Sequence, residues 1–569
     1  MKKLTLALLL FVLPLAAWAG KHGQLHIVTT GDVHGTYFSK PYVDGAKARP
    51  SLVNVKYYVD SLRAAVGPDN VLLLDCGDVL QGDNCSYYFN YVETELPHIV
   101  PRIFKYMGYD AAAVGNHDIE TGHPVYDRVK EQMAAAGIPW LAGNAFKQDG
   151  STYFPEYVVL RKGGRKILIM GYNNSNIDHW LAEEIWRGMN HRSLVPLVQE
   201  RVDALRKLVK PDAVIVLVHS GTGKGDGSVY ENQGLDIFNS LHGVDLLVCG
   251  HDHQPACIVR DDRLLIDGGA RCGNVGHAVL GFRCHKVTSR TAELVRIDKT
   301  KRDVQMEAAF EPDWLAVRNF TLQKVGEITV PLRTREAYSG MCSYIDLLHT
   351  VQLAASGADL SVAAPLTFNG SVAAGTVVFD DMFKIYPFEN QLYVLTLSGA
   401  EFKNMLEYSY DKWIVTPGEH VLNIRCGADA RSGASRWSFV NRSYNFDSAA
   451  GLSYTVDVTK PFGSRVEIVS MADGSAFEES ATYKVAMTSY RANGGGSLLT
   501  EGAGIPHEEL AGRVVAKFPE IRDIIYEFIR KNGTVGPSLI SDRAALGWWK
   551  FVPEAVAEPL LKADMDLMF

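Results

Sequence analysis

The stretch AAAVGNHDIE, residues 111–120, sets an apolar run against four polar side chains in five positions. Residues 111–114 read as a buried β-strand. Gly115 then turns the chain, and Asn116, His117, Asp118 and Glu120 follow. A polar loop with a helix cap would explain this; so would a strand end that carries chemistry. The same juxtaposition recurs on both sides of it. Residues 25–30 run into GDVHG, 71–74 into DCGD, 167–170 into GYNNS, 214–218 into HSG and 244–248 into CGHDH. Helical stretches lie between, such as residues 196–209 with Leu197, Val198, Val202 and Leu205 on one face. Strands alternating with helices predict an α/β layered domain, with its chemistry at the carboxyl ends of the strands.

The chain has 569 residues, more than one hydrophobic core serves, so two domains are expected. With 47% hydrophobic and 21% charged residues it is globular in composition, and a net charge of −8 argues against a partner such as a nucleic-acid duplex. The opening MKKLTLALLLFVLPLAAWAG has a basic start, a short apolar run and an A-x-A site at Ala17-Trp18-Ala19. It reads as a signal peptide over residues 1–19, which implies an exported protein, periplasmic or secreted. No other stretch is apolar enough to span a membrane, so the mature chain is expected to be soluble. Eight Cys are too sparse for a disulfide scaffold, although an exported chain could oxidise some pairs.

Past about residue 302 the alternation loosens. Residues 307–328 read as a linker between a first domain at 20–306 and a β-rich second domain at 329–553, with 554–569 as a C-terminal tail. Ile521, Ile524, Ile525, Phe528 and Ile529 mark an amphipathic helix that Asn532-Gly533 stops.

Five strand ends in the first domain carry ligand-type residues: Asp32 and His34; Asp78; Asn116 and His117; His219; His251 and His253. Singly each is weak. Together they would be costly in a core without a partner. Mixed nitrogen and oxygen donors suit Zn, Mn, Co or Fe, and the set is too large for one tetrahedral ion, so two divalent metal ions are expected.

In order, these residues spell D-x-H, G-D, G-N-H-[DE], H and G-H-x-H across residues 32–253, which resembles the calcineurin-like metallophosphoesterases and among them the exported 5′-nucleotidase branch. That resemblance implies a fold: an N-terminal αββα sandwich followed by an α+β 5′-nucleotidase-type substrate-binding domain. It also implies roles. Asp32, His34, Asp78 and His253 would hold one metal; Asp78 would bridge; Asn116, His219 and His251 would complete the other. His117 would be the catalytic histidine, oriented by a carboxylate three residues on, Glu120, with Asp118 as the alternative.

The second half also resembles that branch over roughly residues 325–553, through KIYPFENQLYVLTLSGAEFKNMLE. SYNFDSAAGLSYTVDVTKPFGSR and TSYRANGGG are similar to the 2′,3′-cyclic-nucleotide 2′-phosphodiesterase/3′-nucleotidases. In those enzymes the corresponding tyrosines, Tyr444 and Tyr490 here, sandwich the base. The loop PLTFNGSVAAG has Asn369, a candidate ligand contact, but no Arg where many 5′-nucleotidases have N-x-G-x-R. The implied substrates are 2′,3′-cyclic nucleotides and 3′-nucleotides. The alternatives are a 5′-nucleotidase or UDP-sugar hydrolase on the same scaffold, or a non-catalytic nucleotide-binding surface protein.

Overall fold

The computed structural model describes residues 22–428 and 435–569; the leader expected at residues 1–19 lies outside them. The chain divides into two compact units that part between Phe320 and Thr321, with residues 179–181 grouped with the second.

The first unit is built on two six-stranded sheets. In chain order its strands are β1 (His22–Thr30), β2 (Val71–Asp75), β3 (Ala111–Ala113), β4 (Trp140–Leu141), β5 (Tyr157–Lys162), β6 (Arg165–Tyr172), β7 (Ala213–Val218), β8 (Leu246–Cys249), β9 (Ala256–Val259), β10 (Leu264–Asp267), β11 (Asn274–Arg283) and β12 (Lys286–Arg296). One sheet runs β12-β11-β1-β2-β3-β4, the other β9-β10-β8-β7-β6-β5. Leu72, Leu74, Ile169, Ile215, Leu217 and Ile266 pack between them. Strands β2, β7 and β8 are buried on both faces, which is why they read as unbroken apolar runs. Helix α1 (Leu52–Val66) packs on β2. Two more follow β3: the short α2 (Asn116–Glu120) and α3 (His123–Ala136). Across the other sheet, α4 (Leu194–Val209) lays Leu197, Val198, Val202 and Leu205 on Leu168, Met170, Val214 and Val216. This is an αββα sandwich. β1, β2 and β3 run parallel, as do β7 and β8, so their carboxyl ends deliver the polar loops in groups.

Residues 307–328 are structured throughout. Helix α5 (Glu311–Thr321) is clamped to the first unit by the bidentate Arg102–Asp313 pair at 2.7 and 2.9 Å, and by Trp314, whose indole N–H donates to the Lys40 carbonyl. The strand Lys324–Ile328 pairs within the second unit.

The second unit is α+β. Its main sheet runs β15-β13-β16-β14-β17, with β13 (Leu360–Ala363), β14 (Gln391–Ser398), β15 (Ser448–Ala450), β16 (Thr482–Thr488) and β17 (Val514–Glu520). Its helices include α6 (Ser343–Ser356), α7 (Gly399–Trp413) and α8 (Ile521–Asn532). Helix α8 buries Ile521, Ile525 and Ile529 and ends at Gly533, whose φ of 68° a Gly accepts without strain. Residues 554–569, expected as a tail, are instead packed structure: α9 (Glu554–Met568) buries Asp564, which accepts from the Val421 and Leu422 amides at 2.9 and 2.8 Å. The tail reading missed a buried carboxylate whose partners lie about 140 residues earlier. All eight cysteines are free thiols. Among the described residues no helix is long and apolar enough to cross a membrane.

Candidate metal centre

The turns after the strands give the site its shape. Ten non-glycine residues among those described have positive φ, and five of them are Asp32, His34, Asp78, His251 and His253. Residues persist in this costly region where surrounding structure holds them there, commonly at functional sites. Glycines leave the room: a Cβ on Gly115 would sit 2.1 Å from Asp78 Oδ1, and one on Gly250 would sit 2.9 Å from Asp32 Oδ2.

Two sets of ligand-type side chains converge, Asp32, His34 and His253 in one and Asp78, His219 and His251 in the other. His34 Nε2 lies 3.9 Å from Asp32 Oδ1, 4.0 Å from Asp78 Oδ2 and 2.9 Å from His253 Nε2. Asp78 Oδ2 is also 3.0 Å from His219 Nε2, so this one carboxylate oxygen borders both sets. Asn116 joins the second set, its Oδ1 3.0 Å from His219 Nε2 and 2.8 Å from His251 Nδ1. Ligands about 2.0–2.2 Å from a common ion stand about 3–4 Å apart, as these do.

The hydrogen bonds outside the sets decide which imidazole nitrogen faces in. His34 Nδ1 lies 3.1 Å from the Gln81 carbonyl and His219 Nδ1 2.7 Å from the Cys76 carbonyl. A carbonyl accepts only, so each Nδ1 carries the proton and Nε2 turns its lone pair inward. His251 is reversed: its Nε2 donates to Glu231 Oε1 at 3.0 Å and Nδ1 points at Asn116. His219 Nε2 and His251 Nδ1 thus face oxygens that also only accept, and buried Asp78 Oδ2 forms no well-aligned hydrogen bond. Such a convergence of acceptors calls for a cation. The same field draws positive charge: against burial, Asp78 and Asp32 raise the proton affinity of His219 to a pKa of about 10, and a metal ion at Nε2 would take that proton's place. Burial also pushes Asp78 upward, and His219, His117 and His34 override it and keep it ionised. The donor set fits two divalent ions.

His117 stands beside these sets, its backbone N–H donating to Asp78 Oδ1 at 2.8 Å and its ring 5.5 Å from that of His34. Its Nδ1 is paired with Glu120, which leaves Nε2 as the outward nitrogen. Asp118 is engaged elsewhere. Buried beneath α2, it accepts from the amides of Gly115, Asp78, Val79 and Leu80 at 2.8–3.0 Å. Asp118 is therefore the helix cap, and His117 and Asn116 are the residues turned to the ligand cluster. Glu231 is the partner that sequence reasoning missed. It lies in the GTGKGDGSVYENQ loop, with no strand end to mark it.

In the second unit Tyr444 and Tyr490 are neighbours, ring centroids 6.5 Å apart and 87° between planes. They meet edge to face, so a base sandwich requires one ring to turn. Buried Arg491, another residue sequence reasoning passed over, ties their loops together. Its guanidinium donates to the Tyr444 carbonyl at 3.0 Å, to Asp447 Oδ2 at 2.6 Å and to the Gly495 carbonyl. Asn369 lies exposed on the loop after β13, whose Thr367 and Phe368 carbonyls accept from the Tyr338 hydroxyl.

The sandwich and the ligand sets meeting at Asp78 define a metallophosphoesterase catalytic domain. Residues 25–255 match the family model for calcineurin-like phosphoesterases, and residues 324–501 match that for the 5′-nucleotidase C-terminal domain. The chain belongs to the 5′-nucleotidase family of metallophosphoesterases and is a metal-dependent phosphoester hydrolase. It is 24% identical to a Haemophilus influenzae 2′,3′-cyclic-nucleotide 2′-phosphodiesterase/3′-nucleotidase, over 93% of this chain and 88% of that one. It is 25% identical to a Yersinia enterocolitica protein named UshA, over 68% of this chain and 77% of that one. A solved candidate 5′-nucleotidase from Staphylococcus aureus, 21% identical, shares the fold with a TM-score of 0.78 over 93% of this chain and all of its own.

Proposed function

We propose that the chain hydrolyses 2′,3′-cyclic nucleotides, and the 3′-nucleotides they yield, to nucleoside and phosphate. The observation that carries this reading is the Tyr444–Tyr490 pair on two loops joined through Arg491, beside a PLTFNGSVAAG loop that lacks the Arg of N-x-G-x-R. Likeness to the Haemophilus influenzae enzyme supports it. Asp32, His34, Asp78 and His253 would hold one metal ion, and Asp78, Asn116, His219 and His251 the other. Bound there, the ions would supply Lewis acidity toward the phosphoryl group and a water of lowered pKa.

The chain's own residues do the rest. Glu231 and the Gln81 and Cys76 carbonyls keep the ligating imidazoles in one tautomer. Asp118 holds the Asp78 turn against Gly115. Glu120 fixes His117, whose Nε2 donates to a phosphoryl or leaving oxygen as charge develops on it. Tyr444 and Tyr490 would stack on the base, and Asn369 would add a polar contact. Residues 20–306 would form the catalytic domain and 329–553 the substrate domain, with residues 554–569 packed in the second unit, and a leader at 1–19 would direct export. Likeness to relatives named 5′-nucleotidase favours a second reading, a 5′-nucleotidase on the same scaffold.

The test is turnover of 2′,3′-cAMP, 3′-AMP, 5′-AMP and a UDP-sugar side by side with Mn²⁺ or Co²⁺. The first two should lead in kcat/KM; a lead for 5′-AMP would move the assignment to the second reading. Tyr490→Ala should raise nucleotide KM by about 10–100-fold, the worth of one base stack. Hydrolysis of bis(p-nitrophenyl) phosphate, which has no base, should barely change. Equal losses on both would end the stacking assignment.

A further inference from the structure

Arg271 carries a charge that the ligand sets do not use. It follows β10 on the tight turn Gly268–Gly273, and both Arg271 and Cys272 take left-handed φ, 55° and 54°. Its backbone N–H donates to the Asp32 carbonyl at 2.8 Å, which pins the turn to the first ligand set. The guanidinium then lies against the His34 turn. Nη1 reaches the carbonyls of His34 and Gly82 at 3.5 and 3.3 Å, both long for hydrogen bonds.

Among the described residues Arg271 has no ion-pair partner. The nearby carboxylate of Asp83 is taken by Arg49, a second guanidinium whose charge bears on Arg271. The charges of Arg271 and His117 both bear on His34 and on His253, so the two residues border the first ligand set together. Arg271 is nonetheless an exposed residue. A fixed cation of five donors, held at the rim by its own backbone and left without a carboxylate, is built to receive an anion with several acceptor oxygens.

We infer that Arg271 is a positioning residue for the substrate's phosphoryl group, and that it favours the doubly charged phosphomonoester over the singly charged phosphodiester. A monoester presents three non-bridging oxygens and close to two negative charges; a diester presents two oxygens and one charge. One added guanidinium contact therefore stabilises the monoester more. In a two-step hydrolysis such a residue would hold the 3′-phosphomonoester after the ring has opened. The inference rests on the metallophosphoesterase assignment and not on the nucleotide reading, so the test uses substrates without a base.

Arg271→Ala and Arg271→Lys would be compared with the wild-type holoenzyme on p-nitrophenyl phosphate and bis(p-nitrophenyl) phosphate. Inhibition by inorganic phosphate and bound metal would be measured alongside. Arg271→Ala should raise KM for the monoester, and Ki for phosphate, by about tenfold, with the diester KM moving less than about threefold. Metal content should stay at the wild-type level, and Arg271→Lys should recover part of the loss. Equal shifts on monoester and diester, an unchanged phosphate Ki, or loss of metal would each overturn the inference. A failure of 2′,3′-cAMP turnover with these shifts intact would count against the nucleotide reading alone.

Discussion

His117 shows how a single side chain is separated from its neighbours in role. Asn116 beside it reaches both imidazoles of the second ligand set, whereas His117 contributes its backbone N–H to Asp78 and its ring to Glu120. On the proposed reading it donates to the substrate and is not needed to hold a metal ion. His117→Ala should therefore lower kcat by about 10²–10³ while metal content by elemental analysis stays at the wild-type value. Metal loss in that variant would make His117 a ligand. Asp78→Ala should do the reverse, because its Oδ2 borders both sets. Both ions should then fall together, and one ion left at full occupancy would show that Asp78 does not bridge them.

At the scale of elements, the site depends on turns more than on strands. The β2 turn and the β3 turn are pressed together by Asp118, one carboxylate serving four amides. That packing leaves no space for a side chain at Gly115, where a Cβ would meet the Asp78 amide at 2.4 Å as well as its carboxylate. Gly115 has an ordinary extended φ of −98°, so the constraint is space and not conformation. Gly115→Ala should push the two turns apart and lower metal binding at both sets, read as stoichiometry after dialysis. Retention of both ions at wild-type affinity would show that the turns can separate without moving Asp78.

At the scale of the whole molecule, acid should act on each unit through a buried imidazole. His98 in the first unit accepts from the Val100 amide and pairs with Asn90, and burial brings its pKa down to about 3. His349 in the second lies between Ser361 and Ser448, and burial brings it to about 3 also. A histidine depressed in the folded state takes up its proton first in the unfolded chain. Its contribution is fully present above pH 6.5 and is lost as pH falls from there toward about 3. Calorimetry should show Tm falling over that window for both units. His349→Gln should flatten the fall for the second unit alone, although the variant starts lower; an unaltered slope would place the acid lability elsewhere.

The α/β layering was legible in the chain because strands buried on both faces must be apolar throughout, and β2, β7 and β8 are; the αββα arrangement itself was what the family resemblance implied. The ligand-type residues were legible because each sits within a few positions of such a strand end, so local spacing records them. Helix α8 and its stop at Gly533 were legible for the same reason, a 3.6-residue period and a glycine being local signals. Tertiary structure alone decided the division of labour in GNHDIE, giving the cap to Asp118 and the imidazole to Glu120, since Asp118 finds three of its four amides about forty residues away. It alone selected Glu231 for His251, bound α9 to the second unit through Asp564, and joined the Tyr444 and Tyr490 loops through Arg491. Apart from the local His117–Glu120 and Asp118–Gly115 pairs, these contacts join residues 20 or more positions apart, and such pairings are set by how the layers pack rather than by any period or motif along the chain.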